Sequence, residues 1–205
     1  LGVPISADTT RAVPARAALE AGAGIINDVS GLTADREMAK LVARTGAGLI
    51  LVASPTAGVG ARPPGRDASR ISAVPTPPVP EQVVLSCLEE RLTRARKAGV
   101  DARRIVVDPG IGFFREQGQP WHEWDCRVLA RLEALRCLGR PVCVGVSRKS
   151  FIGAILGQEA PGHRLLGSLA ATAVAALNGA HVIRTHDVTE TLEAVRIAEA
   201  IRNAT

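Results

Sequence analysis

Tyrosine is absent from the 205 residues, and Phe113, Phe114, Phe151 and two tryptophans are the whole aromatic complement. The formal charge is +5, but the basic residues are scattered among Asp and Glu. Without stacking rings or a basic stripe, the footprint of a nucleic-acid binder is missing. Lysine is almost missing too, at positions 40, 97 and 149 alone, with arginine everywhere else. Lys149 is conspicuous for that reason. No apolar run approaches the roughly 18–20 residues that span a bilayer, and the opening "LGVPISADTT" lacks the basic-then-apolar layout of a signal peptide. The four cysteines, Cys87, Cys126, Cys137 and Cys143, form no C-x-x-C pair and sit in or beside apolar patterns. Buried reduced thiols in a cytoplasmic protein are therefore expected, with no zinc site. There is no G-x-G-x-x-G after a strand, no G-x-S-x-G, no H-E-x-x-H and no P-loop. Dinucleotide binding, serine-hydrolase, zinc-protease and P-loop chemistry all lose their direct support.

What is present is ordinary for a globular domain, with 46% apolar and 22% charged residues. The chain reads as one domain, 1–205, in which two textures alternate. Short β-branched runs ("VPISAD", "GIINDV", "GLILVA", "RIVVD", "PVCVGVS", "HVIRTHD") read as buried parallel strands. Amphipathic segments lie between most of them. Met38, Leu41, Val42 and Thr45 share a helical face, as do Leu85, Leu88 and Leu92, and Ala194, Ile197, Ala198 and Ile201. Gly22, Gly46, Gly99, Gly139 and Gly179 each close a helical segment before the next strand, where a positive φ is needed.

Such βα repeats build either an open doubly wound sheet or a (β/α)8 barrel. A unit of about 34 residues, close to the roughly 31 of a typical barrel, favours the α/β barrel, with about six of eight units in this chain. Residues 54–80 break the rhythm with seven prolines and read as a long loop, partly ordered over the active face.

The polar residues collect at strand ends. Asp8 ends the first run, Asn27 and Asp28 the second, Asp108 the fourth, Ser147, Arg148 and Lys149 the fifth, and Arg184, His186 and Asp187 the sixth. Parallel strands bring these ends to one face, where ligands bind in both architectures. For Asp28, Ser30 and Asp187, helix or turn capping weighs as much as ligand contact. His122, His163 and His181 read as surface or packing residues. Two carboxylates and an amide offer acceptors to the N–H groups of a heterocyclic amidine. Lys149, Arg184 and His186 offer donors to oxygen or phosphate, and Lys149 precedes a helix start at "SFIGAIL" that favours an anion. The residues point to a polar heterocycle that carries or releases a phosphate group, with no side-chain nucleophile.

"PISADTT", "INDVSG", "DPGIGF", "GVSRKSFIG" and "RTHDV", in this order and spacing, resemble the dihydropteroate synthases, (β/α)8 enzymes of folate biosynthesis. The resemblance runs from about residue 3 to 200. It implies a transferase that joins 6-hydroxymethyl-7,8-dihydropterin diphosphate to p-aminobenzoate and releases diphosphate. Asp8, Asn27 and Asp108 would then hold the pterin, and Lys149 would contact its oxygen and ring. Arg184 would stack on the pterin and, with His186, hold the diphosphate. Ser147 would help seat p-aminobenzoate, while Gly112 and Phe113 would line the pocket. Asp108, Lys149, Arg184 and His186 would be catalytic.

The family implies magnesium and a homodimer as well, but its metal-ligating Asn and its Thr-Arg pair fall in strand units that have no counterpart here. Met-His after the family's fifth strand is replaced by "LVASPT", and the lysine often found after "DPGIGF" has no counterpart. The 205 residues alone are accordingly expected to turn over poorly, as the C-terminal three-quarters of a barrel. A noncatalytic pterin-binding relative and a pterin-dependent methyltransferase are the alternative readings.

Overall fold

The computed structural model describes residues 2–55, 78–115 and 120–204. The β-branched runs form strands where their texture predicts. β1 (Ser6–Asp8), β2 (Ile25–Asp28), β3 (Gly48–Val52) and β4 (Ile105–Asp108) pair in parallel in chain order. β5 (Cys143–Val144) and β6 (Val182–Ile183) form a second parallel ladder. A parallel bridge between Val107 and Val142 joins the two ladders, with Val107 N–H donating to the Pro141 carbonyl at 2.9 Å. Six strands thus form one arc in sequential order, the strand–helix alternation of a (β/α)8 barrel. Among the described residues no strand pairing links β6 back to β1.

Helices α1 (Ala12–Glu20), α2 (Arg36–Thr45), α3 (Pro80–Lys97), α4 (Trp121–Ala130), α5 (Ser150–Leu156), α6 (Leu165–Leu177) and α7 (Val188–Arg202) fill the connections. A 3-10 segment at Leu132–Leu138 carries the chain from α4 into β5. The core lies between arc and helices. Ile26, Leu49, Leu51, Val107 and Val144 from the strands are buried, and so are Met38, Leu41, Val84, Leu88 and Trp124 from the helices. Each such side chain contributes about 1.5–3 kcal/mol of burial.

All five inter-element glycines adopt positive φ, from +61° at Gly139 to +103° at Gly22 and Gly179. The C-terminal helix departs from expectation. Ala198 is buried, but Ile197 and Ile201 are 64% and 63% exposed. Their spacing assigns them a common face, and no described element covers it. The cysteines split as well. Cys143 is buried, Cys87 and Cys126 are half-buried, and Cys137 is exposed, with its thiol donating to the Ala134 carbonyl at 3.2 Å. In the stretch read as a long loop, α3 begins at Pro80 and residues 56–77 lie outside the described ones.

Candidate active site

The strand ends meet as a rim, and its side chains hold one another. Asp8 Oδ2 accepts from Asn27 Nδ2 at 2.8 Å and from Arg184 Nη1 at 3.1 Å. β1 and β6, the two ends of the arc, are therefore tied by side chains where no ladder ties them. Ser147 Oγ lies 2.9 Å from His186 Nδ1 and accepts from the His186 backbone N–H at 3.3 Å.

Asp187 pairs with Arg148 at 2.5 Å, a partnership that holds its carboxyl below the usual carboxylate range. The three ionisable groups that end β6 each have a partner on another strand end, which is what makes them affordable there.

The "SRK" turn is held from below. Arg148 sits at φ +58°. Its N–H donates to Ser168 Oγ at 2.8 Å, and its carbonyl accepts from Arg164 Nη1 at 3.0 Å. Ser168 and Arg164 are both buried. Arg148 thereby faces Asp187, while Lys149 reaches the opposite way. Lys149 Nζ donates to the Ile111 carbonyl at 3.0 Å and stands 5.2 Å from the Phe113 ring centroid. Gly112, at φ +86°, packs on the lysine stem, and a Cβ there would sit 3.5 Å from Lys149 Cδ.

Asp108 is 8% exposed. Its Oδ1 accepts from Gly110 N–H at 2.7 Å. Burial raises its carboxyl above the ordinary range, opposed by that N–H, by Arg184, by Lys149 and by the Cys143 thiol. Lys149 is shifted the other way: burial lowers its ammonium, while the carboxylates of Asp108 and Asp125 counteract. The Cys143 thiol, buried beside Asp108, is pushed up to about 12 and stays protonated.

Two adjoining recesses follow. One, of about 310 Å³, carries Ser147, Lys149 and His186. The other, of about 320 Å³, carries Asn27 over an apolar floor of Ile50, Cys143 and Ile183. Asp8 and Arg184 line both and form the wall between them. One recess is rich in hydrogen-bond donors and cations, and the other presents acceptors over an apolar floor.

Away from the recesses, Asp28 is a turn residue: fully buried, it accepts from Ser30 N–H, Ser30 Oγ and Leu32 N–H. His181 Nδ1 accepts from Val142 N–H. β3 has no charged residue of its own at the rim, but α3 supplies one behind it. Arg91 is 1% exposed and donates to the carbonyls of Val52 and Ser54 at 3.3 and 2.5 Å. Arg115 stands just past "DPGIGFF" as a cation that a search for lysine overlooks. It donates to Gly112 O at 2.9 Å and Ser150 Oγ at 2.6 Å. Among the described residues, no three His, Cys, Asp or Glu side chains cluster to hold a metal ion.

The family model described as "Pterin binding enzyme" matches residues 1–186. The chain is 38% identical over 203 residues to a probable bifunctional folylpolyglutamate synthase/dihydropteroate synthase of Haloferax volcanii, covering 99% of this chain and 22% of that one. It is 37% identical over 204 residues to the dihydropteroate synthase of Mycobacterium leprae, covering 97% of this chain and 67% of that one. Among solved structures, dihydropteroate synthase from Xanthomonas albilineans in complex with 7,8-dihydropteroate superposes with a TM-score of 0.82 at 35% identity, over 98% of this chain and 68% of that one. The Coxiella burnetii dihydropteroate synthase in complex with pteroic acid gives 0.82 at 34% identity, over 98% and 70%. The chain thus spans about two thirds of the dedicated synthases and under a quarter of the bifunctional one. With its (β/α)8-type arc, its rim of strand-end side chains and these relatives, the chain belongs to the pterin-binding enzymes, alongside the dihydropteroate synthases.

Proposed function

We propose that the protein carries the pterin and diphosphate half of a dihydropteroate synthase site. In this reaction 6-hydroxymethyl-7,8-dihydropterin diphosphate loses diphosphate as p-aminobenzoate attacks the methylene carbon. The observation that carries this reading is the shared Asp8–Arg184 wall between an acceptor-lined and a cation-lined recess. A dihydropterin in the first would meet Asp8 and Asn27, with Asp108 buried behind it beside Cys143 of the floor. A diphosphate in the second would meet Arg184 and His186, and Lys149 of the same recess would reach the pterin's oxygen and ring. Ser147, bonded to His186, would help seat the arylamine, and Gly112 and Phe113, beside Lys149, would line the pocket.

Departure of the diphosphate leaves positive charge on a carbon conjugated with the ring. Asp108 disperses that charge, while the cations stabilise the leaving anion. The C–O bond to diphosphate breaks, the C–N bond to the arylamine forms, and the amine releases a proton. No covalent enzyme intermediate is needed, and orientation of the amine supplies much of the rate. Magnesium enters only as the family's companion of the diphosphate, and no residue described here is given to it.

Calorimetry tests the reading. A dihydropterin should bind, and inorganic diphosphate should strengthen that binding. Arg184→Gln should abolish most of the strengthening, a loss of roughly tenfold or more for a charge-assisted contact. No pterin binding, or an effect of diphosphate that survives Arg184→Gln, would remove the proposal. Pterin binding without diphosphate release in the presence of p-aminobenzoate would favour the noncatalytic reading instead.

A cytoplasmic homodimer accompanies the proposal. Leu166, Val174 and Leu177 of α6 and Ile197 and Ile201 of α7 are exposed apolar side chains on which a second copy would sit. Sedimentation at micromolar concentration should show a dimer, and a monomer would remove this part.

A further inference from the structure

Asp125 has no part in the site as described, yet it lies one peptide group away from Lys149. Gly112 N–H donates to Asp125 Oδ1 at 2.9 Å. The carbonyl of that same peptide unit, Ile111 O, accepts from Lys149 Nζ at 3.0 Å. A single amide plane therefore separates a carboxyl group on α4 from the ammonium group on the rim. Asp125 is 1% exposed, and its Oδ2 is buried with no hydrogen-bond partner among the described residues.

Satisfying one backbone N–H with a buried carboxyl is costly when the second oxygen stays unpaired. What the carboxyl adds is polarity aligned with the amide dipole. It pulls on the N–H side and makes the carbonyl on the other side a better acceptor, as in any hydrogen-bonded chain of low local dielectric.

We propose that Asp125 is a positioning residue for Lys149, acting through the Ile111–Gly112 peptide to fix where the ammonium group sits and how firmly it keeps its proton. The functional meaning rests on the reading of Lys149 as a ligand-facing group; the coupling itself does not. The relay works with the carboxyl in either protonation state, because an ionised or a neutral carboxyl oxygen can accept from Gly112 N–H.

Other groups bear on the pair. Asp108, Arg184 and Arg115 act on Lys149, and Arg115 and His122 act on Asp125. Arg115 also clamps the far end of the turn through the Gly112 carbonyl, so the turn is held at consecutive peptide units. Burial raises the Asp125 carboxyl above its usual range.

The scarcity of lysine makes the test direct. With ¹³C at lysine Cε the chain gives three signals, and Lys40→Arg and Lys97→Arg identify that of Lys149. In the unaltered chain, the Gly112 amide proton should titrate in step with Lys149. In Asp125→Leu the Lys149 midpoint should fall by about half a pH unit, and Asp125→Asn, which keeps an acceptor for Gly112, should recover most of the shift. Dihydropterin affinity should follow the same order.

A Gly112 amide indifferent to the Lys149 titration would overturn the proposal without recourse to any variant, so a leucine form that fails to fold does not shelter it. An unmoved Lys149 midpoint in a folded Asp125→Leu protein would overturn it as well. The titrations need no substrate. A chain that shows the coupling but binds no pterin would therefore contradict the proposed function and leave this inference standing.

Discussion

Under the proposed function, asparagine in place of Asp108 is expected to cost about 10²- to 10³-fold in kcat/KM for diphosphate release, the scale of a removed electrostatic stabiliser. That corresponds to ~3–4 kcal/mol of transition-state stabilisation. The side chain is enclosed by Gly110 N–H, Arg184, Lys149 and Cys143. The asparagine would keep one acceptor for Gly110, so the turn should persist and the melting temperature should move little. What disappears is the negative charge beside a developing cation, and an amide N–H₂ would now face the ring's own donors.

Acidity offers an independent check. The carboxyl is raised by burial, so on lowering the pH it takes up its proton earlier than an exposed aspartate would. Pterin binding should accordingly begin to fall at a higher pH than ordinary carboxylates allow, and the asparagine variant should lack that acid limb. At the alkaline end, Lys149 is lowered by burial and releases its proton earlier than a surface lysine. Pterin binding that relies on the Lys149 ammonium should weaken there first. Wild-type kinetics in Asp108→Asn would remove Asp108 from the site.

The largest effect on stability is expected from Gly110→Ala. Gly110 has φ +72°, and a Cβ on it would land on the Ala53 carbonyl oxygen. Both faults matter. An alanine in the left-handed region is strained by about 1 kcal/mol or more, and backbone cannot swing aside as a flexible side chain could. The contact also sits where β3 meets β4, beside the Ala53 N–H to Asp108 O bond of 2.8 Å. Relieving the clash must either part those strands or move the turn that carries Asp108. A loss of about 3 kcal/mol or more is expected in chemical denaturation. Gly112→Ala is the control. It shares the positive φ, but its nearest neighbour is the flexible Lys149 side chain, with Cδ at 3.5 Å. It should therefore cost about 1 kcal/mol of stability and show most of its effect in ligand affinity. Equal destabilisation by the two would contradict the close-approach argument for Gly110.

The rim was legible in the sequence because strand texture, glycine punctuation and terminal polar residues all vary along the chain. Asp8, Asn27, Asp108, Lys149, Arg184 and His186 needed only the rule that parallel strands end together. The residues behind the rim were not legible. Arg91 reads as one more cation in "EERLTRARK", and only the packing of α3 on β3 buries it against Val52 and Ser54. Asp125 in "WHEWDC" looks like a solvent-facing helical acid until α4 is seen lying against the Gly112 turn. Asp35 is similar. It caps its own helix through Glu37 N–H, as local sequence allows, but also accepts from Ala12 N–H across 23 positions. Periodicity succeeded in grouping Ile197 with Ile201 and failed in burying them, since a face is a local property and its cover is not.

The Asp8–Arg184 contact joins residues 176 positions apart. Pairings this remote carry the heaviest loop-closure cost and form late in folding. During refolding, then, far-ultraviolet signal and tryptophan burial should recover ahead of ligand capture. Nascent chains emerging from the ribosome would stay blind to ligand until β6 has been made.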